Sequence, residues 1–202
     1  RVLVTGSSRG IGKSIARAFL NEGSKTIISA RNSDNLIAAE EELKSEYQES
    51  SVIAKVCDCT NPESLQSLYD SVSKSWDGLD IVIANVGSGK SVSDPIPNDE
   101  DWKQTWQTNF ESALETSRTF LPMLEESNGS LLFISSITGV EAIGAPVDYS
   151  TAKSALLALS KNMARKLGER VRVNVIAPGN IMFPGSSWEE KMNKKPNAVK
   201  KI

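Results

Sequence analysis

Tyr149 and Lys153 stand four residues apart in "YSTAK" (149–153), in a chain of 202 residues that contains no histidine. Without an imidazole, Ser-His-Asp hydrolysis, Cys-His proteolysis and His-ligated zinc catalysis lack an essential group. A phenol can carry the proton instead. Its reference pKa is about 10, and a nearby ammonium stabilises the phenolate and lowers that value. Spacing i, i+4 on a helix puts the two side chains on one face. The pair therefore predicts acid–base chemistry near neutral pH, with Tyr149 moving the proton and Lys153 as its electrostatic partner. The stretch alone reads equally well as a helix start with a surface lysine, so the surrounding elements must decide.

Those elements alternate between strand and helix. Strand-like runs are expected at 1–5, 25–30, 51–58, 79–87, 129–136 and 170–179. Helical patterns are expected at 11–23, 33–48 (opened by Ser33 or Asp34), 61–76 (Asn61 as N-cap before Pro62), 99–127 with a break near Pro122, and 146–168 closed by Gly168. "IVIAN" and "LLFIS" are near-continuous apolar runs, as in strands covered on both faces. The order predicts an α/β fold with a mostly parallel, doubly wound sheet between two helix layers. Ser136, ending the fifth run, falls where such sheets present ligands, outside the carboxyl ends of the strands.

Between the first strand and first helix lies "VTGSSRGIG" (4–12), with glycines at 6, 10 and 12. Glycines close the turn and let backbone N–H groups approach a pyrophosphate at the helix N-terminus. The turn residues Gly6, Ser8, Arg9, Gly10, Ile11 and Gly12 are thus dinucleotide-binding candidates. "GKS" (12–14) imitates the end of a P-loop, but that pattern needs glycine at position 7, which is Ser7. The second strand ends "ISARN", with Ala30 where an acidic residue would bind the ribose of NAD. Arg31 follows, and Arg9 is a second cation, so the expected cofactor is NADP(H), with NAD(H) second.

Composition bounds the rest. Net charge is −2 from 23 basic and 25 acidic residues, which argues against nucleic-acid binding. No apolar run reaches the length of a membrane span, about 20 residues. "RVLVTG" opens directly on a strand with no signal peptide, and the missing start methionine places the true N-terminus a few residues upstream. A soluble, cytoplasmic protein of one domain is expected. Cys57 and Cys59, the only cysteines, read as small hydrophobes, and no metal site is expected.

Seven motifs in order give a family resemblance: "TGSSRGIG" (5–12), "CDCT" (57–60), "ANVG" (84–87), "NFES" (109–112), "ISS" (134–136), "YSTAK" (149–153) and "APG" (177–179). Together they resemble the short-chain dehydrogenase/reductase family over nearly the whole chain. The resemblance implies a single NAD(P)-binding Rossmann domain over 1–202 and catalytic Asn109, Ser136, Tyr149 and Lys153. Asn109 would hold a water of a proton relay, and Ser136 would bond the substrate carbonyl; Ser135 is one residue out of register. It also implies cofactor contacts: Asp58 at the adenine, Asn85 and Gly87 beside the central strand, Tyr149 and Lys153 at the ribose. Pro178, Gly179 and Ile181 would lie at the nicotinamide. A homodimer or homotetramer through the helices at 99–127 and 146–168 is implied as well.

Three departures qualify this. Val86 stands where alanine is usual, and Phe183 where many members have a threonine touching the carboxamide. The family also continues for roughly 45 residues with a seventh strand, for which this chain has no counterpart. The basic segment from Lys191 to Lys201 belongs to an expected substrate lid, 180–202. The implied reaction is hydride exchange between NADP(H) and a carbonyl/alcohol substrate, which could be carrier-bound. The glycine-turn pattern is close to that of 3-oxoacyl-carrier-protein reductases. A sugar-like or other small polar ketone is an alternative, and a non-catalytic NADP-binding sensor is an alternative of another class.

Overall fold

In the computed structural model, which describes residues 1–194 and 196–199, six strands form one sheet ordered β3-β2-β1-β4-β5-β6. They are β1 (Val2–Thr5), β2 (Thr26–Ala30), β3 (Val52–Val56), β4 (Ile81–Ala84), β5 (Ser130–Ile134) and β6 (Arg172–Ile176). Every pairing is parallel, so each connection crosses over and helices cover both faces. The strand order reverses at β1/β4, which opens a crevice at the carboxyl ends of those two strands. Strands β3 and β6 form the sheet edges.

The helices are α1 (Gly10–Asn21), α2 (Ser33–Glu46), α3 (Pro62–Ser75), α4 (Asp99–Trp106), α5 (Ser112–Glu126), α6 (Val147–Leu167), α7 (Ser187–Lys194) and α8 (Pro196–Val199). Strand side chains alternate between the faces. Leu3, Val82 and Phe133 pack with Leu68 of α3, Phe120 of α5 and Leu156 of α6. Val2, Val4 and Ile83 pack with Leu20 of α1 and Leu36 and Leu43 of α2. Burying each such side chain contributes about 1.5–3 kcal/mol, and the two cores make the three expected layers.

Two local readings change. The cap of α2 is Asn32, whose side chain accepts from the Asn35 N–H at 2.8 Å, rather than Ser33 or Asp34. The long helix does not break at Pro122, which lies inside α5. It is interrupted earlier, by a π-helical turn at Gln107–Glu111. Proline removes one N–H, but α5 continues through it to Glu126. The segment after β6 is helical in α7 and α8; Lys195, Lys200, Lys201 and Ile202 of the expected lid lie outside the described residues. No described helix is long and apolar enough to cross a membrane.

Candidate active site

The glycine turn is built so that only glycine fits. Gly6 and Gly10 have φ of +62° and +56°, a region that penalises other residues. A Cβ on Gly12 would lie 2.4 Å from the Gly6 carbonyl and 2.6 Å from the Asn85 amide nitrogen. Asn85 donates to the Thr5 and Gly6 carbonyls, both at 3.0 Å, and so ties the turn to β4. Helix α1 begins after Arg9 with no side-chain cap and no acidic residue in its first turn. Its free N–H groups and positive dipole end suit an anion.

A cleft of about 440 Å³ opens over this turn. Gly6, Ser8, Arg9, Ile11 and Gly12 line it, joined by Arg31, Asp58, Asn85 and Gly87. Gly10, Tyr149, Lys153, Pro178, Gly179 and Ile181 are not on its wall. The Pro178 carbonyl instead accepts from the Ile137 N–H at 2.9 Å, and Ile181 is exposed. Although β2 ends without a carboxylate, Arg31 has an acid nearby: Asp58, from the neighbouring strand end, lies 4.0 Å from its guanidinium. Asn32, Asn35, Thr60 and Thr108 also line the cleft. Thr60 closes the "CDCT" motif, and no motif marks the other three; Asn32 and Thr60 sit on the loops after β2 and β3, Asn35 in the first turn of α2 and Thr108 in the π-helical turn. Phe183 lies across the glycine turn, its ring 2.5 Å from where a Gly10 Cβ would be, so it faces the phosphate end of the cleft. The uncapped helix end and the glycine-only cradle fit a dinucleotide pyrophosphate.

Beside the cleft, Gly87 brings two elements together: a Cβ there would lie 2.9 Å from the Asn109 carboxamide oxygen and 3.0 Å from the Lys153 ammonium. Asn109 sits in the π-helical turn and is buried; such turns recur at functional sites. Its carboxamide oxygen accepts from the Ser88 N–H at 2.9 Å, and its NH₂ donates to the Ser88 and Thr105 carbonyls at 3.0 Å. This side chain clamps the loop after β4, and both its N–H donors are engaged by backbone. Lys153 is buried and donates to the Ile134 carbonyl at 2.9 Å. Ser135 donates to the Lys153 carbonyl at 2.7 Å. Ser136 is the serine beside the Tyr149 phenol, and its hydroxyl also accepts from the Thr138 hydroxyl at 3.1 Å.

The electrostatics differ from the expectation in one respect. Burial raises the Tyr149 pKa above its ordinary value, and hydrogen bonding with Ser136 pulls it partly back. Lys153 does not lower it: the ammonium is turned to the Ile134 carbonyl and lies 5.9 Å from the centre of the tyrosine ring. Burial brings Lys153 itself down to about 8. An ammonium whose folded pKa lies below its unfolded value of about 10.4 costs stability while protonated. That cost is full below about pH 8 and is relieved as pH rises toward the unfolded value. Lys153→Met is therefore expected to raise the stability of the cofactor-free protein at pH 7, by on the order of 1–3 kcal/mol. The gain should shrink by pH 10. Thermal denaturation at the two pH values checks this; a lower midpoint at pH 7 would contradict it.

Comparison with known proteins identifies the family. A family profile described as short chain dehydrogenase matches residues 1–194. The chain belongs to the short-chain dehydrogenase family. Among curated members of this short-chain dehydrogenase group, the uncharacterized oxidoreductase YvrD of Bacillus subtilis is 36% identical over 94% of this chain and 69% of its own. The 3-oxoacyl-[acyl-carrier-protein] reductase FabG of Escherichia coli is 30% identical over 89% and 72%. Among solved structures, the Pseudomonas aeruginosa RhlG/NADP active-site complex superposes with a TM-score of 0.88 at 29% identity, covering 98% of this chain and 77% of that one. An NADPH-bound short chain oxidoreductase of P. aeruginosa PAO1, described as having an atypical catalytic center, gives 0.89 at 26% identity over 98% and 77%. The short-chain dehydrogenase assignment makes this protein an oxidoreductase with a parallel six-stranded sheet.

Proposed function

We propose that this protein is an NADP(H)-dependent oxidoreductase acting on a carbonyl/alcohol pair. The observation that carries the reading is the convergence of Ser136, Tyr149 and Lys153 beside a glycine-only cradle. A bound dinucleotide supplies the hydride. The chain's own residues do the rest. The glycine turn holds the pyrophosphate on the α1 N-terminus. Ser136 orients the substrate oxygen, and Tyr149 gives or takes its proton. Lys153 sits behind the phenol with its charge, and Asn109 fixes the loop that walls the site. Cofactor contacts from Pro178, Gly179 and Ile181 belong to the same reading, as do a cytoplasmic location and a lid from residues 180 onward.

NADP(H) is favoured because Arg9 and Arg31 both line the cleft and β2 ends at Ala30 without a carboxylate. A hydrogen bond to a charged group contributes about 1.5–3 kcal/mol, which is roughly tenfold or more in affinity. NADPH should therefore bind at least about tenfold more tightly than NADH, and Arg31→Ala should narrow that ratio. A fluorescence titration of both nucleotides measures it; equal or tighter NADH binding removes the assignment.

For substrate, FabG's presence among the relatives supports a 3-oxoacyl thioester, with a small polar ketone as the competing class. An NADPH-oxidation screen over simple ketones, sugar ketones and acetoacetyl thioesters separates these. Tight NADPH binding with no turnover on any of them would favour a sensor. A homodimer or homotetramer through α4, α5 and α6 belongs to the same proposal. A hollow lined by Trp102, Trp106 and Thr151 on the α4/α6 side supports it, and a monomer by sedimentation velocity would refute it.

A further inference from the structure

Asp148, which no motif singles out, lies immediately before Tyr149 and is buried, at 1% exposure. A carboxylate is seldom so buried unless its oxygens are satisfied. Here one oxygen accepts from the Tyr149 backbone N–H at 2.8 Å. The other accepts from the Ser91 hydroxyl, 57 residues away in the loop after β4.

Helix α6 explains the need. Its N-cap is Pro146, which offers no side-chain acceptor to the first turn. The first-turn N–H groups of a helix have no intrahelical partner. Asp148, the second helical residue, takes the one belonging to Tyr149, and its charge sits at the positive end of the helix dipole. Ser91 then fixes the carboxylate from outside the helix. Thr105 of α4 reaches the same hydroxyl at 3.4 Å, and the Thr105 carbonyl accepts from Asn109. A polar chain thus runs from Asn109 through Thr105, Ser91 and Asp148 to the backbone of Tyr149, within protein atoms alone.

We propose that Asp148, held by Ser91, is a positioning residue that fixes the first turn of α6 and so aims the Tyr149 phenol at the substrate oxygen. This rests on the proton-transfer role proposed for Tyr149. A misplacement of about 1 Å can cost on the order of 100-fold in rate, so a cap on the residue that moves the proton has kinetic weight.

The test uses the full chain, NADPH and the carbonyl turned over fastest in the screen above. Asp148→Ala is expected to lower kcat at least about tenfold while the NADPH Kd stays within about twofold. Asp148→Asn keeps an oxygen for the Tyr149 N–H and an NH₂ toward Ser91, and should recover kcat to within about threefold of wild type. Ser91→Ala, on a partly exposed loop, should lower kcat in the same direction. The Ser91/Asp148 double alanine variant should be no slower than Asp148→Ala, because both changes break one contact. If Asp148→Ala fails to fold, the Ser91→Ala kcat and Kd pair decides. Wild-type kcat in Asp148→Ala, or in Ser91→Ala where that variant decides, overturns the proposal, as does an Asp148→Asn as slow as the alanine variant. Tyr149→Phe serves as control. If it is inactive while Asp148→Ala is not impaired, only the positioning role fails; if it retains wild-type rate, the proton-transfer reading fails and the positioning role with it.

Discussion

Tyr149→Phe is expected to reduce turnover at least about 100-fold while leaving NADPH affinity and thermal stability close to wild type. The substitution removes one hydroxyl from a half-buried residue. Ring packing survives, so the fold should not notice. The lost hydroxyl is the titratable group that hydrogen-bonds with Ser136. Ser136 can still orient a carbonyl, and the glycine turn can still hold a nucleotide. What is missing is the proton for the developing alkoxide. The raised Tyr149 pKa sharpens this result. A phenol pushed above its ordinary value is protonated at neutral pH, which suits donation during carbonyl reduction. Alcohol oxidation needs the deprotonated form, so its rate in the wild type should rise with pH through the alkaline range. Steady-state kinetics in both directions measure this. A phenylalanine variant with near wild-type kcat would remove Tyr149 from the mechanism.

Gly12→Ala should weaken NADPH binding by at least about tenfold and destabilise the protein by at least about 1 kcal/mol. The added carbon would lie 2.4 Å from the Gly6 carbonyl oxygen and 2.8 Å from the Ser7 Cα. Both are backbone, so no side-chain rotation relieves the clash; the turn itself must move. Its other anchor is the Asn85 amide, 2.6 Å from the same carbon, and displacing it loosens the turn from β4. Gly89→Ala is the control, since nothing lies within 4 Å of its added carbon. For a domain of this size, 1 kcal/mol moves the midpoint by about 2–4 °C. Calorimetry and nucleotide titration together read the two effects. A Gly12→Ala protein with unchanged midpoint and Kd would show that the cradle is looser than its geometry.

Much of this was legible in the sequence because the signals were local. Parallel strands between covered faces announce themselves as runs such as "LLFIS", and Asn61-Pro62 opens α3 with its side chain on the Ser64 N–H as expected. The glycine turn carries its own constraint in residue type. What escaped was either non-local or unsigned. The π-helical turn in "QTNFE" contains neither glycine nor proline, and so Pro122, the residue with a known liability, drew the predicted break instead. By residue type Asn32, Ser33 and Asp34 are equally good caps, so only the structure selects Asn32. The acid near Arg31 arrives from β3 through strand pairing, 27 residues on. The Tyr149 environment could not be inferred from the i, i+4 spacing, because burial outweighs a lysine that points elsewhere.

The π-helical turn has a consequence for how this chain can vary. It holds one residue more than an α-helix would need to cover the same rise. Deleting any single residue from 107 to 111 would let the backbone close into a continuous helix, with its hydrogen bonding intact and no loss of helical propensity to signal harm. Helices α4 and α5 would keep their relative phase, because the wide turn already absorbs the extra residue, but Asn109 would lose the bulge that presents it to the Ser88 backbone. The segment should therefore accept almost no change of length and no replacement of Asn109. The extra residue matters because it places Asn109 against the loop after β4.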